Sequence, residues 1–160
     1  MTPKFKNTGM PILVADNNER VATILENDVF DILMDWLERV AHDDELPRIP
    51  VSTEERIGQY PRLVWELACK LRSRRRRVAQ ETSEAAIEHG RRRKSQGYSM
   101  GMIAEEFRLV KLSIFEDLYN RLNKEDFRFV LSNAQTITDE CDCQLRQTLA
   151  SFTREIARVA

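Results

Sequence analysis

The chain has 160 residues, of which 42% are hydrophobic and 32% are charged, and its net charge is −1, which fits one domain with a single core. No run approaches the roughly 18 to 20 apolar residues that cross a bilayer, and the N-terminus lacks the pattern of a signal peptide, so we expect a cytoplasmic protein. Three cysteines are an odd number, and Cys141 and Cys143 would point about 200° apart on a helix, which argues against a disulfide framework and a metal cluster.

The scarcity of chain breakers predicts the fold class. Only 5 Gly and 5 Pro occur, and charged residues recur at helical spacing, which indicates long helices with few breaks. We therefore predict an all-α fold, a single bundle of five to six helices with a long C-terminal helix. We divide the chain into an N-terminal arm at 1–16, a helical domain at 17–144 and the C-terminal end of the last helix at 145–160.

The first predicted helix follows the arm, which holds Pro3 and Pro11 and therefore reads as a loop. The helix begins near Asn17 or Asn18 and ends at an acidic run before Pro47. Its apolar residues recur every three or four positions and form one stripe. They are Ile24, Leu25, Phe30, Leu33, Met34, Leu37 and Val40. We expect Trp36 at the edge of this stripe.

Capping signals mark the next helices. Ser52 with Glu55 three residues later forms a capping box for a short helix, which should break at Tyr60, before Pro61. The apolar positions of the following helix are Leu63, Val64, Leu67, Ala68 and Leu71. A weakly apolar helix is predicted at about 82–96 and interpreted as peripheral. Gly90 within it would let a neighbouring backbone approach closely.

The joint after that helix has the residues of a tight corner. Gly97 suits the left-handed conformation that ends a helix, Tyr98 suits the accompanying apolar contact, and Ser99 suits the cap of the next helix. The basic residues at 91–94 lie in the last turn of the incoming helix, where positive charge complements the exposed carbonyl groups.

The helix that begins at Ser99 is predicted to be the centre of the bundle. Its apolar positions are Met102, Ile103, Phe107, Val110, Ile114, Leu118 and Leu122. A short joint at Asn123 and Lys124 precedes a final helix that runs to the end of the chain. The first apolar positions of that helix are Phe127, Val130, Ala134, Ile137 and Cys141.

A second apolar group follows on the final helix. This group, the terminal seam, consists of Leu145, Leu149, Phe152, Ile156 and Val159. It is shifted relative to the first group, as in a stutter between two heptad phases. A helix of about 33 residues would be roughly 50 Å long, too long for a domain of this size to cover. We interpret the terminal seam either as core of the bundle or as a homodimer interface that transmits a signal.

The basic segment at 70–94 has two interpretations. It holds ten Lys or Arg residues and three Glu residues, a local balance of +7. The region Arg72–Lys94 could bind nucleic acid or another anionic surface. The basic patch would then be Arg74, Arg75, Arg76, Arg77, Arg91 and Arg92. We favour solvated helix ends, because no aromatic residues interleave with these charges, and nucleic acid is not an expected partner.

The titratable residues show no catalytic pattern. His42 lies in an acidic helix end and is expected to be exposed, and Glu105 should pair with Arg108 along one helix face. His89 precedes Gly90, where a flat cofactor could approach. Haem ligation is one interpretation, and a polar packing residue is the favoured one. No nucleophile, base and orienting group occur together, so we expect neither an enzyme nor a cofactor.

Several of these residues also resemble a known family. The shared positions are His89, Gly90, Arg93, Gln96, Gly97 and Tyr98, then Glu106, Phe107 and Arg108, together with Trp36, Leu46 and Pro47. This pattern resembles the N-terminal domain of RsbRD-type RsbT co-antagonists, and similar domains precede the catalytic region of some bacterial sensor histidine kinases. The resemblance covers about residues 20–150.

The resemblance implies a cytoplasmic, all-helical, dimeric sensory module at 17–144, related in shape to globins that have no haem. Its last helix would transmit a signal to an output domain or to a partner protein such as a kinase. The sensing or contact residues that it implies are His89, Arg93, Tyr98, Glu106 and Arg108. The function we expect is therefore a non-enzymatic signal-input and dimerisation domain in stress-response or histidine-kinase signalling. The alternative is binding of nucleic acid or an anionic surface.

Overall fold

The computed structural model describes residues 10–73, 82–122 and 127–157. The described residues form helices and no β-strands, which confirms the predicted all-α bundle. The helices are α1 (Met10–Asn27), α2 (Val29–Ala41), α3 (Thr53–Ile57), α4 (Tyr60–Arg72), α5 (Glu84–Ser95), α6 (Met100–Arg121) and α7 (Phe127–Ala157), with a 3₁₀ turn (Leu46–Arg48) before α3. None of the described helices combines the length and the apolar character needed to cross a membrane.

Helix α1 begins at Met10, inside the stretch that was predicted to be an arm. Pro11 is its second residue, where the missing backbone N–H leaves no helical hydrogen bond unmade. A proline at that position therefore did not argue against a helix. Residues 1–9 of the predicted arm lie outside the described part of the chain.

The predicted first helix is interrupted at Asp28, whose backbone angles are φ −102° and ψ 11°. The apolar stripe predicted from residue 24 to residue 40 assumed one continuous helix. Because the helix breaks at Asp28, the predicted buried positions in α2 were wrong in part. Phe30 is 69% exposed and Met34 is 47% exposed, whereas Trp36, expected at the edge, is completely buried. The buried face of α2 consists of Ile32, Leu33, Trp36 and Val40.

Helix α6 contributes a wide buried face to the core. Its buried apolar residues are Ile103, Phe107, Leu109, Val110, Ile114 and Leu118. Helix α2 packs mainly on α6, while α1 packs on α4. A fully buried side chain of this size contributes about 1.5–3 kcal/mol to folding, so α6 provides much of the hydrophobic support of the bundle.

The predicted caps and corners are confirmed. The Ser52 hydroxyl accepts from the Glu55 N–H at 3.1 Å, and the Glu55 carboxylate accepts from the Ser52 N–H at 2.8 Å. Helix α3 ends at Ile57, and the next residue, Gly58, has φ +46°, so the break comes two residues earlier than the predicted one at Tyr60. At the next corner, Gly97 has φ +86°, and the Ser99 hydroxyl caps α6 by accepting from the Met102 N–H at 3.1 Å.

The corner at Gly97 is a complete Schellman motif. The Tyr98 N–H donates to the Arg93 carbonyl at 3.0 Å, and the Gly97 N–H donates to the Lys94 carbonyl at 3.1 Å. Tyr98 is 4% exposed and belongs to the core. The corner therefore fixes the direction in which α6 leaves α5.

Helix α5 was predicted to be peripheral, and this prediction was wrong. The helix packs along α7. Its buried residues are Ala85, Ala86, His89, Gly90 and Arg93. The prediction relied on the absence of large apolar side chains, but small residues allow two helices to approach closely, and the remaining buried positions carry charged or polar groups.

Candidate functional site

The most unusual feature of the core is an ion pair between α5 and α6. The Arg93 guanidinium donates to the Glu106 carboxylate at 2.8 Å, and the two side chains are 1% and 0% exposed. Charged groups are rarely buried to this extent unless they are paired, because each loses its hydration. The pair therefore links the two helices at a position where neither charge has access to water.

Arg93 also ties these helices to the end of α3. Its guanidinium donates to the Glu55 carbonyl at 3.2 Å, to the Gln96 side chain at 2.8 Å and to the Arg56 carbonyl. It also lies over the Tyr98 ring, 4.6 Å from the centroid. Arg93 thus has partners on all sides, and its planar fork joins three segments of the chain.

Arg56 extends this arrangement toward the loop between α2 and α3. It is 8% exposed, and its guanidinium donates to the Tyr98 hydroxyl at 2.8 Å, to the Leu46 carbonyl at 3.1 Å and to the Ile49 carbonyl at 2.9 Å. These bonds hold the loop against the corner that joins α5 and α6.

His89 lies on the other side of Glu106, surrounded by aromatic rings. Its Nε2 atom is 3.6 Å from Glu106 Oε2, slightly longer than a hydrogen bond. The Tyr60 ring of α4 is 4.8 Å from the His89 ring between centroids, and the Phe107 ring of α6 is 5.7 Å away. The Trp36 ring of α2 contacts Tyr60 at 4.6 Å. We call His89, Arg93, Glu106, Tyr60 and Trp36 the buried cluster.

Four polar atoms of the buried cluster form no hydrogen bond with any described residue. They are Trp36 Nε1, Tyr60 Oη, His89 Nε2 and Glu106 Oε1. Leaving a buried polar group unpaired costs about 1–3 kcal/mol. The surrounding helices, rather than its own hydrogen bonds, therefore hold this side of the cluster in place.

The electrostatics of the cluster follow from its burial. Burial lowers the pKa of His89, the Arg93 guanidinium adds to this effect, and Glu106 opposes it in part. Burial alone would lower the pKa of Arg93, but Glu106, together with Tyr60 and Tyr98, more than offsets burial, and the pKa is raised. Burial and the negative charge of Glu106 also raise the pKa of Tyr60. At neutral pH His89 and Tyr60 are therefore neutral, and the charged part of the cluster is the ion pair of Arg93 with Glu106.

The residue after His89 contacts a different helix. Gly90 lies against α7, and the Cβ that another residue would have there would overlap the Thr148 carbonyl. The Thr148 hydroxyl donates to the Ala86 carbonyl at 3.1 Å, and the Ser151 hydroxyl donates to the Ile87 carbonyl at 2.8 Å. Around Gly90 the contact between α5 and α7 is thus made by backbone and hydroxyl groups rather than by large apolar side chains.

The structure brings together most of the predicted sensing residues but not all. His89, Arg93, Tyr98 and Glu106 lie side by side in the core. Arg108 is separate: it forms the predicted pair with Glu105 at 2.6 Å on the surface, where its side chain is 57% exposed. Arg108 therefore has no direct part in the buried cluster.

The terminal seam lies partly within the bundle. Leu145 and Leu149 are half-buried and pack against the core, and Phe152 is 8% exposed. Ile156 and Val159 lie outside the residues whose side chains are described. Helix α7 passes the boundary predicted at residue 144 without a break. Among the described side chains at 144–154, the most buried are Gln144, Thr148, Ser151 and Phe152.

Part of the basic segment is paired inside the protein. Arg72 pairs with Glu19 at 2.9 Å and also with Glu26. Arg92 pairs with Glu88 at 2.9 Å. Arg93 is buried, contrary to the interpretation of the whole group as solvated helix ends. Arg91 is exposed, and the predicted patch residues Arg74, Arg75, Arg76 and Arg77 lie outside the described part of the chain.

Sequence reasoning missed two members of the buried cluster. Tyr60 was treated only as a helix boundary, and Trp36 was placed at the edge of a stripe, although it also belonged to the family-like pattern. A signal was available for α7, because Thr148 and Ser151 recur at helical spacing and face the helix that contains Gly90. Such a polar face is typical of a close helix contact.

No group of three or more metal-binding side chains lies together in the ranges 10–73, 82–122 and 127–157. Comparison of the chain with protein-family models, with curated proteins and with solved structures found no match. The relation to the RsbRD-type domain therefore stays a resemblance, carried by the residues quoted for it.

Proposed function

We propose that the chain is a non-enzymatic signal-input and dimerisation domain of a bacterial stress-response or histidine-kinase signalling protein. It would work in the cytoplasm and pass a signal through α7 to an output domain or a partner protein. The resemblance to RsbRD-type N-terminal domains supports the class of protein, and the arrangement of α5 supports the mechanism.

The observation that carries the proposal is that adjacent residues of α5 contact two different helices. His89 faces Glu106 in α6, whereas Gly90 faces Thr148 in α7. A rearrangement of the buried cluster that moves α5 therefore also moves its contact with α7. Helix shifts of about 1–2 Å are a common means of transmitting a signal between packed elements.

The contact between α5 and α7 suits such a movement. Its hydrogen bonds join the Thr148 and Ser151 hydroxyls to carbonyls of α5, and a hydroxyl can exchange one carbonyl for the next along a helix. Lys94 adds a bond from its ammonium group to the Phe152 carbonyl at 3.3 Å and lies 5.0 Å from the Phe152 ring centroid. A change in α5 would therefore affect α7 from Thr148 to Phe152, a little more than one helical turn.

A reporter fusion tests transmission. An output domain whose activity depends on the association of two C-terminal helices is attached after α7, and Glu106→Gln is compared with the unchanged protein. We expect the substitution to change reporter activity at least severalfold, because it alters the pair that holds α5. Glu105→Gln is the matched control, since it removes the neighbouring carboxylate from an exposed pair. Equal activity of all three proteins, with the helical content of Glu106→Gln preserved, would contradict the proposal.

Light scattering coupled to size exclusion tests dimerisation. The proposal expects twice the chain mass, and a monomer at tens of micromolar would rule out a stable homodimer. A truncation near Gln144 is not a clean test, because it would remove Thr148 and Phe152 from the bundle itself. A charged substitution at an exposed position of α7 is a cleaner variant than the truncation, because it leaves the core intact. Leu131, which is 70% exposed, is such a position.

A further inference from the structure

We propose that His89 is an internal proton-binding site, and that binding of a proton there favours separation of α5 from the rest of the bundle. The proposal deepens the proposed function by naming a stimulus for it. Its signalling consequence depends on the proposed function, but the opening of α5 is a property of the domain and can be measured without any output.

The first argument is the charge balance around His89. The charged groups that face it are Glu106 from α6 and Arg93 from its own helix. Glu106 already neutralises Arg93, so a proton on His89 would leave an unbalanced positive charge at a side chain that is 1% exposed. An uncompensated buried charge is strongly unfavourable.

The other titratable groups of the core do not restore the balance. Tyr60 from α4 has a raised pKa, mainly through burial. Burial also raises the pKa of Tyr98, which follows α5, to about 12, and that of Cys141, in α7, to about 12. All three stay neutral below pH 7, and Arg56 adds a further cation behind Tyr98. A proton on His89 is therefore accommodated only when the histidine reaches water.

The second argument is the small hydrophobic contribution of α5. Its buried positions are Ala85, Ala86, His89, Gly90 and Arg93, with no large apolar side chain among them. Burial of apolar area is the main source of stability for most elements. Helix α5 is instead held by close backbone contact, hydroxyl hydrogen bonds and the buried cluster, so disturbing the cluster removes a large part of what holds it.

Linkage sets the direction and size of the effect. A histidine in water has a pKa of about 6.5, and burial lowers the pKa of His89 in the closed bundle. The open state therefore binds more protons than the closed state between these two values. Above pH of about 6.5 the free-energy difference between the closed and the open state has its full value. Below that pH the open fraction grows by up to tenfold for each pH unit.

Nuclear magnetic resonance on the full chain tests the proposal, because the chain has only 2 His residues. His42 is exposed, and His42→Gln leaves the His89 imidazole as the single histidine signal. We expect a His89 pKa below 6.5. We also expect α5 amides, corrected for intrinsic exchange, to open up to tenfold more often per pH unit, while amides at the centre of α6 stay protected.

His89→Gln supplies the second half of the test. The neutral amide keeps a polar side chain at this position but binds no proton, so the pH dependence of α5 opening should disappear. If α5 opening keeps the same pH dependence in His89→Gln, or if His89 titrates at 6.5 or above, the proposal is wrong. Should His89→Gln fail to fold, the titration of His89 in the His42→Gln protein still decides. If α5 opens with pH as expected but the activity of the reporter does not change with pH, the proposed signalling role is wrong and the opening of α5 is not affected.

Discussion

Gly90 in α5 lies so close to the Thr148 carbonyl in α7 that no β-carbon fits between them. The Cβ of any other residue would also come within 3.0 Å of Ser151 Cβ and 3.1 Å of the Phe152 backbone nitrogen. Because most of these neighbours are backbone atoms inside a helix, they cannot move aside singly. The glycine therefore sets the distance between the two helices.

Gly90→Ala should lower the free energy of unfolding by about 1–3 kcal/mol, the usual cost of overpacking. Urea unfolding followed by circular dichroism measures it. Gly101→Ala in α6 is the matched control, because its Cβ would meet only the Ser99 hydroxyl oxygen at 3.6 Å. An alanine there should be neutral or stabilise by up to about 1 kcal/mol. Equal effects of the two substitutions would contradict the close contact between α5 and α7.

The buried ion pair should be far more sensitive to the loss of one partner than the exposed pair next to it. Arg93→Met leaves the Glu106 carboxylate buried without its cation, which costs about 3–5 kcal/mol. Arg108→Met removes the cation from the exposed Glu105 pair, which is worth about 0–1 kcal/mol. Thermal or urea unfolding of both variants provides the comparison. Similar losses would mean that Arg93 is accessible to water in solution.

The features that could be predicted from the sequence are those whose causes lie within a few residues. Gly97 and Ser99 form a corner through bonds to residues at most five positions away. The same holds for the capping box at Ser52 and Glu55. Local hydrogen bonds and backbone preferences decide such sites, so the sequence alone contains the information.

The candidate site was predictable only in part, because it depends on contacts between distant segments. In the sequence, Arg93 resembles a solvated residue at a helix end. Its burial depends on its ion pair with Glu106, which lies in another helix. The terminal seam was chosen by apolar spacing, but Gly90 brings α7 so close to α5 that Thr148 and Ser151 occupy the contact instead. The pairing of helices decides these positions.

Gly97 should be replaceable by asparagine at less cost than by alanine. Its φ of +86° is unfavourable for residues with a β-carbon and costs about 1–2 kcal/mol. Asparagine tolerates this region better than other residues, and nothing lies within 4 Å of the Cβ position to add a steric effect. We expect Gly97→Ala to lower the unfolding free energy by about 1 kcal/mol and Gly97→Asn by less. The reverse order in urea unfolding would mean that the corner has another conformation.

Asp117 in α6 provides a pH-dependent prediction of opposite sign to that for His89. It lies 3.8 Å from Arg121, whose guanidinium also pairs with Asp28 at 3.0 Å and Asp31 at 3.1 Å. Its side chain is 11% exposed, and its Oδ2 atom has no hydrogen-bond partner among the described residues. Burial, followed by the negative charge of Asp28, raises the pKa of Asp117 to about 6.

The folded protein therefore binds a proton at Asp117 more tightly than the unfolded chain, in which an aspartate has a pKa of about 3.9. Its contribution to stability is present below pH of about 4 and is lost as pH rises through about 6. Asp117→Asn, which is always neutral, should raise the unfolding free energy by about 1–2 kcal/mol at pH 7. At pH 4 it should have little effect.

Urea unfolding at the two pH values measures this difference. The control is Asp44→Asn at an exposed position, which should change the unfolding free energy by less than about 0.5 kcal/mol at either pH. A gain of the same size at pH 4 and pH 7 would show that the carboxylate of Asp117 is not the cause. Because protonation of His89 destabilises the bundle in an overlapping range, the global pH profile of the unchanged protein should be flatter than that of either variant. Asp117→Asn should unmask the loss of stability below pH of about 6.5 that His89 produces, and His89→Gln in the same background should remove it.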